Sequence, residues 1–468
     1  MHNRVVSLLY CMVLVCIYVS KAVPVAIDTD FSHHYLVDFE SVNTNRQPTY
    51  IRFNTIHDIP ERAQDTYFPR LKKRDLNSNA TNRVQTIQTK LFTISLDCTP
   101  PFGELLDPVT AISSTCQNVA YTLTRVMTRL EQSLYLRTPI TVTFSYKSLC
   151  TATGSASLGK ACPVSDDTLG YASPAAWHVF NRDAADANHL DAGYMYPSSL
   201  AKQYVPDDVA FRNTDGVDII AVLNSDVNWW FPSPDDQLGA GDNGKWGLYS
   251  TTHGGSINSS TYSYDFEQTT LHELCHGLGI VSSWNMIGDN STFLPSFLDI
   301  NANGRITGLA QPYIFNRWLS DTINHVWLRN YADQIQSSIN QAIQQSTQNN
   351  WYSIFNTTIA AGIARALGGK NGLFQTPGAV AAWYPDTDYT TKESGLYKYA
   401  IIYTPRVYEA GSTLSHVDAN TYIGTENVLM RPVGTGGIGL DSILPMGSKG
   451  PIGEAALGIF RSMGYVTI

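Results

Sequence analysis

The sequence predicts an α+β fold: a mixed β-sheet and an amphipathic helix, then a second helix carrying paired histidines, then an irregular C-terminal part with a helical insertion. Three observations carry this. Across residues 113–136, Val119, Leu123, Val126, Leu130 and Leu134 follow one another at steps of four, three, four and four, the stripe of an amphipathic helix. Two runs read as strands: "PITVTFSY", Pro-started at Pro139 and alternating, and "VDIIAVLN" from Val217. Residues 272–280 read "HELCHGLGI", with histidines one helical turn apart and glycines behind them that can end the helix. A helix and strands grouped ahead of the motif point to α+β layers.

The N-terminal part reads as processing signals. Arg4 precedes the apolar run "VVSLLYCMVLVCIYV", which ends in "SKA" with small residues at cleavage spacing, so residues 1–22 are predicted to be a secretory signal peptide. The run is too short and too oddly flanked for a membrane anchor, and no later stretch is apolar for long enough. Lys72, Lys73 and Arg74 in "RLKKRDLNSN" form a tribasic processing site. Residues 23–74 are then a pro-segment, and 75–468 the mature chain. Loss of two positive charges with the leader, and of seven of each sign with the pro-segment, takes the formal net charge from −9 to −11. An acidic chain with no long basic run does not predict a nucleic-acid partner. The expectation is a secreted protein without stable membrane insertion.

Cysteine usage fits that compartment. Cys98, Cys116, Cys150 and Cys162 can close two loops, most simply Cys98–Cys116 and Cys150–Cys162 among three possible pairings. Cys275 is left inside the motif helix, where a buried inert thiol is expected. N-x-S/T sequons stand at Asn79, Asn258, Asn290 and Asn356.

Behind the motif, a helical insertion is predicted over about 321–369, with Ile335, Ile339 and Ile343 in steps of four and Gly368 and Gly369 as its stop. "DINANG", Asp299 to Gly304, has calcium-loop oxygens at its first, third and fifth positions. Its twelfth position is Ala310, where such a loop needs glutamate, so a turn between strands is expected. The last hundred residues show little periodicity apart from a closing helix, "GEAALGIFRSMG".

On a helix His272 and His276 point the same way, and two neutral imidazoles can hold one zinc ion at roughly 2 Å. Glu273 lies about 100° round the helix, at the rim of that face. From there its carboxylate can take a proton from water that the metal acidifies, without itself binding the metal. A structural zinc site is usually closed by four ligands, often cysteines, and has no use for Glu273. Two histidines that merely pack on a helix are the plainer alternative.

Zinc needs a further protein ligand. The short-spacer pattern H-E-x-x-H-x-x-G-x-x-H would place it at residue 282, which is Ser282. His178, His189, His253, His325 and His416 remain, with Asp299 as a carboxylate rival. His325 stands beside Val326 and Trp327 in what reads as an amphipathic helix, where packing is its expected role.

His416 stands in "STLSHVDANTYIGTENVLMRP". With HExxHxxG, a 140-residue spacer and a Leu-Met pair behind it, this resembles the leishmanolysin-type metzincins, secreted zinc metallopeptidases. "VDIIAVLNSDVNWWF" and the closing "ALGIFRSMGY" are similar too. The spacer is longer than in leishmanolysin itself, and Cys275 occupies an unusual slot. The resemblance implies a zincin/metzincin-like fold with an active-site helix, a backing helix and a Met-turn at Met430. It implies Zn2+ on His272, His276 and His416, Glu273 as catalytic base, and protein or peptide substrates. A different class of function on the same scaffold is a proteolytically inactive, secreted metal-binding adhesion or recognition protein, against which intact Glu273 argues.

Overall fold

The computed structural model describes residues 31–38, 49–53, 84–99, 112–149, 168–205, 216–232, 263–287, 292–301, 305–346, 350–386, 397–434, 439–444 and 452–468, the first two segments as backbone. The predicted signal peptide, the tribasic cluster, Cys150, Cys162 and the sequons at Asn79, Asn258 and Asn290 lie outside them. The architecture is mixed α+β, with several small sheets around one five-stranded sheet.

Nine strands in the first half of the chain form two sheets. Strands β1 (Phe31–Asp38) and β2 (Thr49–Phe53) come from the predicted pro-segment. Then follow β3 (Val84–Gln88), β4 (Phe92–Cys98), β5 (Ile140–Lys147), β6 (Gly170–Pro174), β7 (Ala176–Phe180), β8 (Tyr196–Pro197) and β9 (Ile219–Asn224). The main sheet has the order β3-β4-β5-β9-β6. Its β4, β5 and β9 are parallel, while β3 and β6 are antiparallel edges.

Helix α1 (Ser114–Ser133) forms the crossover between β4 and β5. Its N-cap is Ser113, whose Oγ accepts the Cys116 N–H at 3.0 Å. Both flanking strands alternate, so Phe92, Ile94 and Leu96 share a buried face with Ile140, Val142 and Phe144. The predicted stripe of α1, Val119, Leu123, Val126 and Leu130, is fully buried in the same core. The helix stops one residue before Leu134, which is extended and pairs with Thr467 near the C-terminus. The disulfide Cys98–Cys116 ties the end of β4 to the first turn of α1, as the simplest pairing expected.

The second sheet, β2-β1-β7-β8, branches from the first because β6 and β7 are continuous through Ala175. Trp177 of β7 stacks on Tyr313 with ring centroids 3.7 Å apart.

The motif helix is α2 (Phe266–Gly277). It lies so close to β9 that a Cβ on Gly277 would come within 2.3 Å of Ile219 Cγ2. "DINANG" begins in the first of two antiparallel strands, Leu298–Ile300 and Ile306–Leu309, and runs toward the second; residues 302–304, where the turn is expected, are outside the described set.

The insertion, expected to be helical over about 321–369, is not helical throughout. It opens with a small hairpin, β10 (Leu319–Asp321) and β11 (Val326–Trp327), and continues as three helices, α3 (Leu328–Gln345), α4 (Trp351–Asn356) and α5 (Ile359–Gly368). Asp321 explains the opening: its carboxylate accepts the N–H groups of Ile323 and Asn324, so the chain turns where the pattern suggested a helix. His325 lies in that turn, exposed and at φ 56°, so its expected place on a helix is corrected.

Two strands sit in the weakly periodic C-terminal part, β12 (Val380–Pro385) and β13 (Tyr397–Ile402), giving a sheet in the order β11-β10-β12-β13. The closing helix α6 (Glu454–Met463) packs on it, with Gly458 directly over the Tyr384 ring. Among the described residues no helix is long and apolar enough to cross a membrane.

Candidate metal centre

Helix α2 begins at Asp265, whose Oδ1 accepts the Glu267 N–H at 2.7 Å and the Gln268 N–H at 3.2 Å. It ends in a left-handed glycine. Gly279, at φ 111°, donates to the His276 carbonyl, while the Ile280 N–H reaches back to the Cys275 carbonyl. The reversal brings the Ile280 carbonyl over the last turn, 2.6 Å from His276 Nδ1. Gly279 therefore serves the site directly, by aiming a carbonyl at a histidine.

His416 arrives by a different route. Beyond β13, the Tyr403 N–H donates to the His416 carbonyl at 2.8 Å, and the Asp418 N–H donates to the Ile401 carbonyl at 2.9 Å. These bonds extend the ladder of β13 by one bridge, Ile402 to Val417. Val417 in turn donates to the Met430 carbonyl at 2.8 Å. Met430 is 1% exposed, and the carbonyl of Leu429 before it accepts from His272 Nδ1 at 2.7 Å. One turn, Leu429–Met430, thus ties the helix histidine to the segment bearing His416.

The outcome is a compact triad. The three Nε2 atoms of His272, His276 and His416 lie 3.1 Å from one another. Each Nδ1 faces a backbone carbonyl: Leu429 for His272, Ile280 for His276, and Ser412, at 2.9 Å, for His416. A carbonyl only accepts, so each Nδ1 carries the ring proton and each Nε2 presents a lone pair. Three converging lone pairs repel unless a cation sits among them. Zinc–nitrogen bonds of about 2.0–2.1 Å at tetrahedral angles would separate the donors by about 3.3–3.4 Å. The observed spacing falls a few tenths short of that, so the residues fit such an ion.

Protonation is a poor substitute for the ion. Burial lowers the pKa of His272, and burial followed by the charge of His272 lowers that of His276 to about 3. His416 is held well below its ordinary value by burial and then by His276 and His272. Neutral imidazoles are the form that binds a metal.

Glu273 is buried beside the triad, and its carboxylate accepts the N–H of Ala172 on edge strand β6. Burial raises its pKa to about 8, against the opposing effect of that hydrogen bond. Cys275 is a free, buried thiol whose pKa burial raises further, as an inert packing residue requires.

The rivals for the third position lie elsewhere. Ser282 gives its N–H to Ser415 Oγ at 3.1 Å, next to His416, so the short-spacer position supports the neighbouring segment. His178 is buried in β7 against Ser198 Oγ at 3.0 Å. His189 occupies a turn at φ 57°, and Asp299 bonds Thr307 in its own hairpin. His253 is outside the described residues. Among the described residues, only His272, His276 and His416 form a cluster able to hold a metal ion.

A second buried feature anchors the helix. Glu267 accepts from Arg125 Nε at 2.9 Å and from Arg129 Nε at 2.6 Å, and both arginines also reach Asp441. Two guanidiniums and two carboxylates close a neutral ring that locks α1, α2 and the turn of helix Leu440–Ile443 together. The Leu440 N–H adds a bond to Asp265 Oδ2 at 2.5 Å. Sequence reading missed this ring and the role of Ala172, since no local pattern links residues so far apart in the chain.

Fold and site together define an α+β protein with a buried three-histidine centre and a glutamate beside it. The chain belongs to the SPBPB7E8-like family, whose model matches residues 61–467 and so contains the whole site. It is similar to the uncharacterized protein PB7E8.01 of Schizosaccharomyces pombe, with 25% identity over 384 residues. That match covers 75% of this chain and 59% of the relative, so the chain spans less than two thirds of the relative's length. No solved structure matches it.

Proposed function

We propose that this chain is a secreted zinc-dependent endopeptidase of the metzincin type, similar in layout to leishmanolysin. The observation that carries the reading is the convergence of the three Nε2 atoms of His272, His276 and His416, with the buried glutamate Glu273 next to His272 in the helix. His272, His276 and His416 would hold the zinc. The ion, when bound, supplies Lewis acidity that polarises a peptide carbonyl and acidifies water.

The remaining work falls to the chain's own groups. Glu273 takes a proton from the attacking water on its carboxylate and returns it to the nitrogen of the leaving amine. The Ala172 N–H fixes the orientation of that carboxylate. The carbonyls of Leu429, Ile280 and Ser412 hold the ring tautomers, which keeps all three Nε2 atoms available as donors. Met430 closes the turn that ties His272 to the segment bearing His416.

The test combines metal analysis with hydrolysis of an unstructured protein such as casein. One zinc per chain and hydrolysis abolished by a chelator are expected. Glu273→Gln should retain zinc and lose at least about 10²-fold in rate, because it removes a base and no ligand. Near-normal turnover by that variant would refute the catalytic role. A zinc-loaded wild-type chain that cuts nothing would favour the recognition-protein alternative.

A further inference from the structure

We propose that the backbone edge of β7 is a docking site for an extended polypeptide, and that its occupant is the chain's own hairpin β1–β2, retained there as a separate subunit once the chain is cut after Arg74. The proposal does not depend on the catalytic reading.

The register shows how the hairpin is held. Strand β1 runs antiparallel to β7, with Leu36 opposite Ala176, Tyr35 opposite Trp177, His34 opposite His178, His33 opposite Val179 and Phe31 opposite Phe180. A bulge between Phe31 and His33 absorbs one residue. On its other side β1 pairs with β2, from His34 opposite Phe53 to Asp38 opposite Thr49. Strand β1 is therefore interior to its sheet, and β7 is covered along its length only while β1 is present.

What β7 would be without β1 supports a lasting association. Its other neighbour, β8, spans two residues and pairs only with Trp177 and His178. The strand reads Ala-Trp-His-Val-Phe, with no charge and no proline to discourage pairing. A bare apolar edge of that kind attracts another strand. Its side chains are already engaged on this chain: Trp177 on Tyr313, His178 on Ser198, and Phe180 edge-on to Tyr196 at 5.1 Å. Recognition at this edge therefore runs through the backbone, the mode by which sheets take up extended peptides.

The hairpin is also separable in sequence. Residues 31–53 lie upstream of Lys72–Arg74 and upstream of residue 61, where the family match begins. A cut after Arg74 removes no bond of either ladder. It turns an internal strand pair into a bound second chain.

The full chain, cut after Arg74 with a protease specific for paired basic residues, is passed through gel filtration at about 10 μM, a concentration at which micromolar binding is still visible. The fragment ending at Arg74 is expected to co-elute with residues 75–468. Alternate N–H groups of β1 point to β2 and to β7, so Tyr35→Pro and Leu36→Pro each break a different ladder. One of them is expected to release the fragment after the cut and to raise amide exchange at Ala176–Phe180 by at least tenfold. Separation of the wild-type fragment on cutting overturns the proposal. So does equal retention of the fragment by both proline variants with unchanged exchange in β7.

Discussion

Glutamine in place of Glu267 would test what holds the histidine helix in position. The Glu267 side chain is 2% exposed, and the Arg125 and Arg129 side chains that it joins are 4% and 0% exposed. Glutamine keeps the volume and one acceptor but removes the charge, leaving two buried cations to share Asp441. Breaking a buried pair by removing one partner costs about 3–5 kcal/mol, since the abandoned charge stays desolvated. Asp441 still faces both arginines, which keeps the loss within that range rather than doubling it. Urea unfolding of the full chain should show the midpoint falling by roughly 1 M at unchanged slope. Added salt should hardly alter the difference, because buried pairs are poorly screened. Replacing the whole ring by apolar residues of similar volume should recover most of the loss, as burying unpaired charge is the cause. A loss below about 1 kcal/mol in Glu267→Gln would refute the reasoning, by showing that the carboxylate is not what compensates the two arginines.

Three further outcomes follow from the same structure. His416→Ala should lose tight zinc and hydrolysis together, while His325→Ala, at an exposed turn, keeps both; metal analysis of the two variants showing the reverse would remove His416 from the centre. Gly277→Ala places a methyl 2.3 Å from Ile219 Cγ2, an atom of a packed strand, and should cost about 1–3 kcal/mol in thermal unfolding. Replacing Cys98 and Cys116 with serine opens a loop with a sequence separation of 18 and should lower stability by about 3 kcal/mol.

Local periodicity explains which elements could be read in advance. The stripe of α1 and the alternation of β5 are statements about neighbours in sequence, and both elements form where the pattern places them. The pair His272–His276 is legible for the same reason, since one helical turn puts both rings on one face. Strands β12 and β13 were not legible. Their residues, such as "VAAWYP", alternate weakly because one face packs on α6 and the other carries Trp383 and Tyr399, so both faces are largely apolar. The hairpin at Asp321 was hidden by apolar spacing that continues into α3, where an aspartate able to cap two N–H groups outweighs a helical pattern.

The site divides along the same line. His416 could be proposed from its resemblance, but the means of its arrival could not, because that means is β13 extended by one bridge and a turn at Leu429–Met430. Most of the groups that tune the centre carry no side-chain signature: the carbonyls of Leu429, Ile280 and Ser412, and the N–H of Ala172. Any residue type supplies such groups, so only the path of the backbone decides where they point. Gly279 is the exception, because a left-handed turn at a helix end selects glycine, and here that turn aims the Ile280 carbonyl at His276. Donor identity in this centre is thus written in side chains, while donor protonation is written in backbone geometry. A variant that leaves all three histidines intact but moves Gly279 or the Leu429 turn would therefore be expected to weaken the centre as surely as one that removes a ligand.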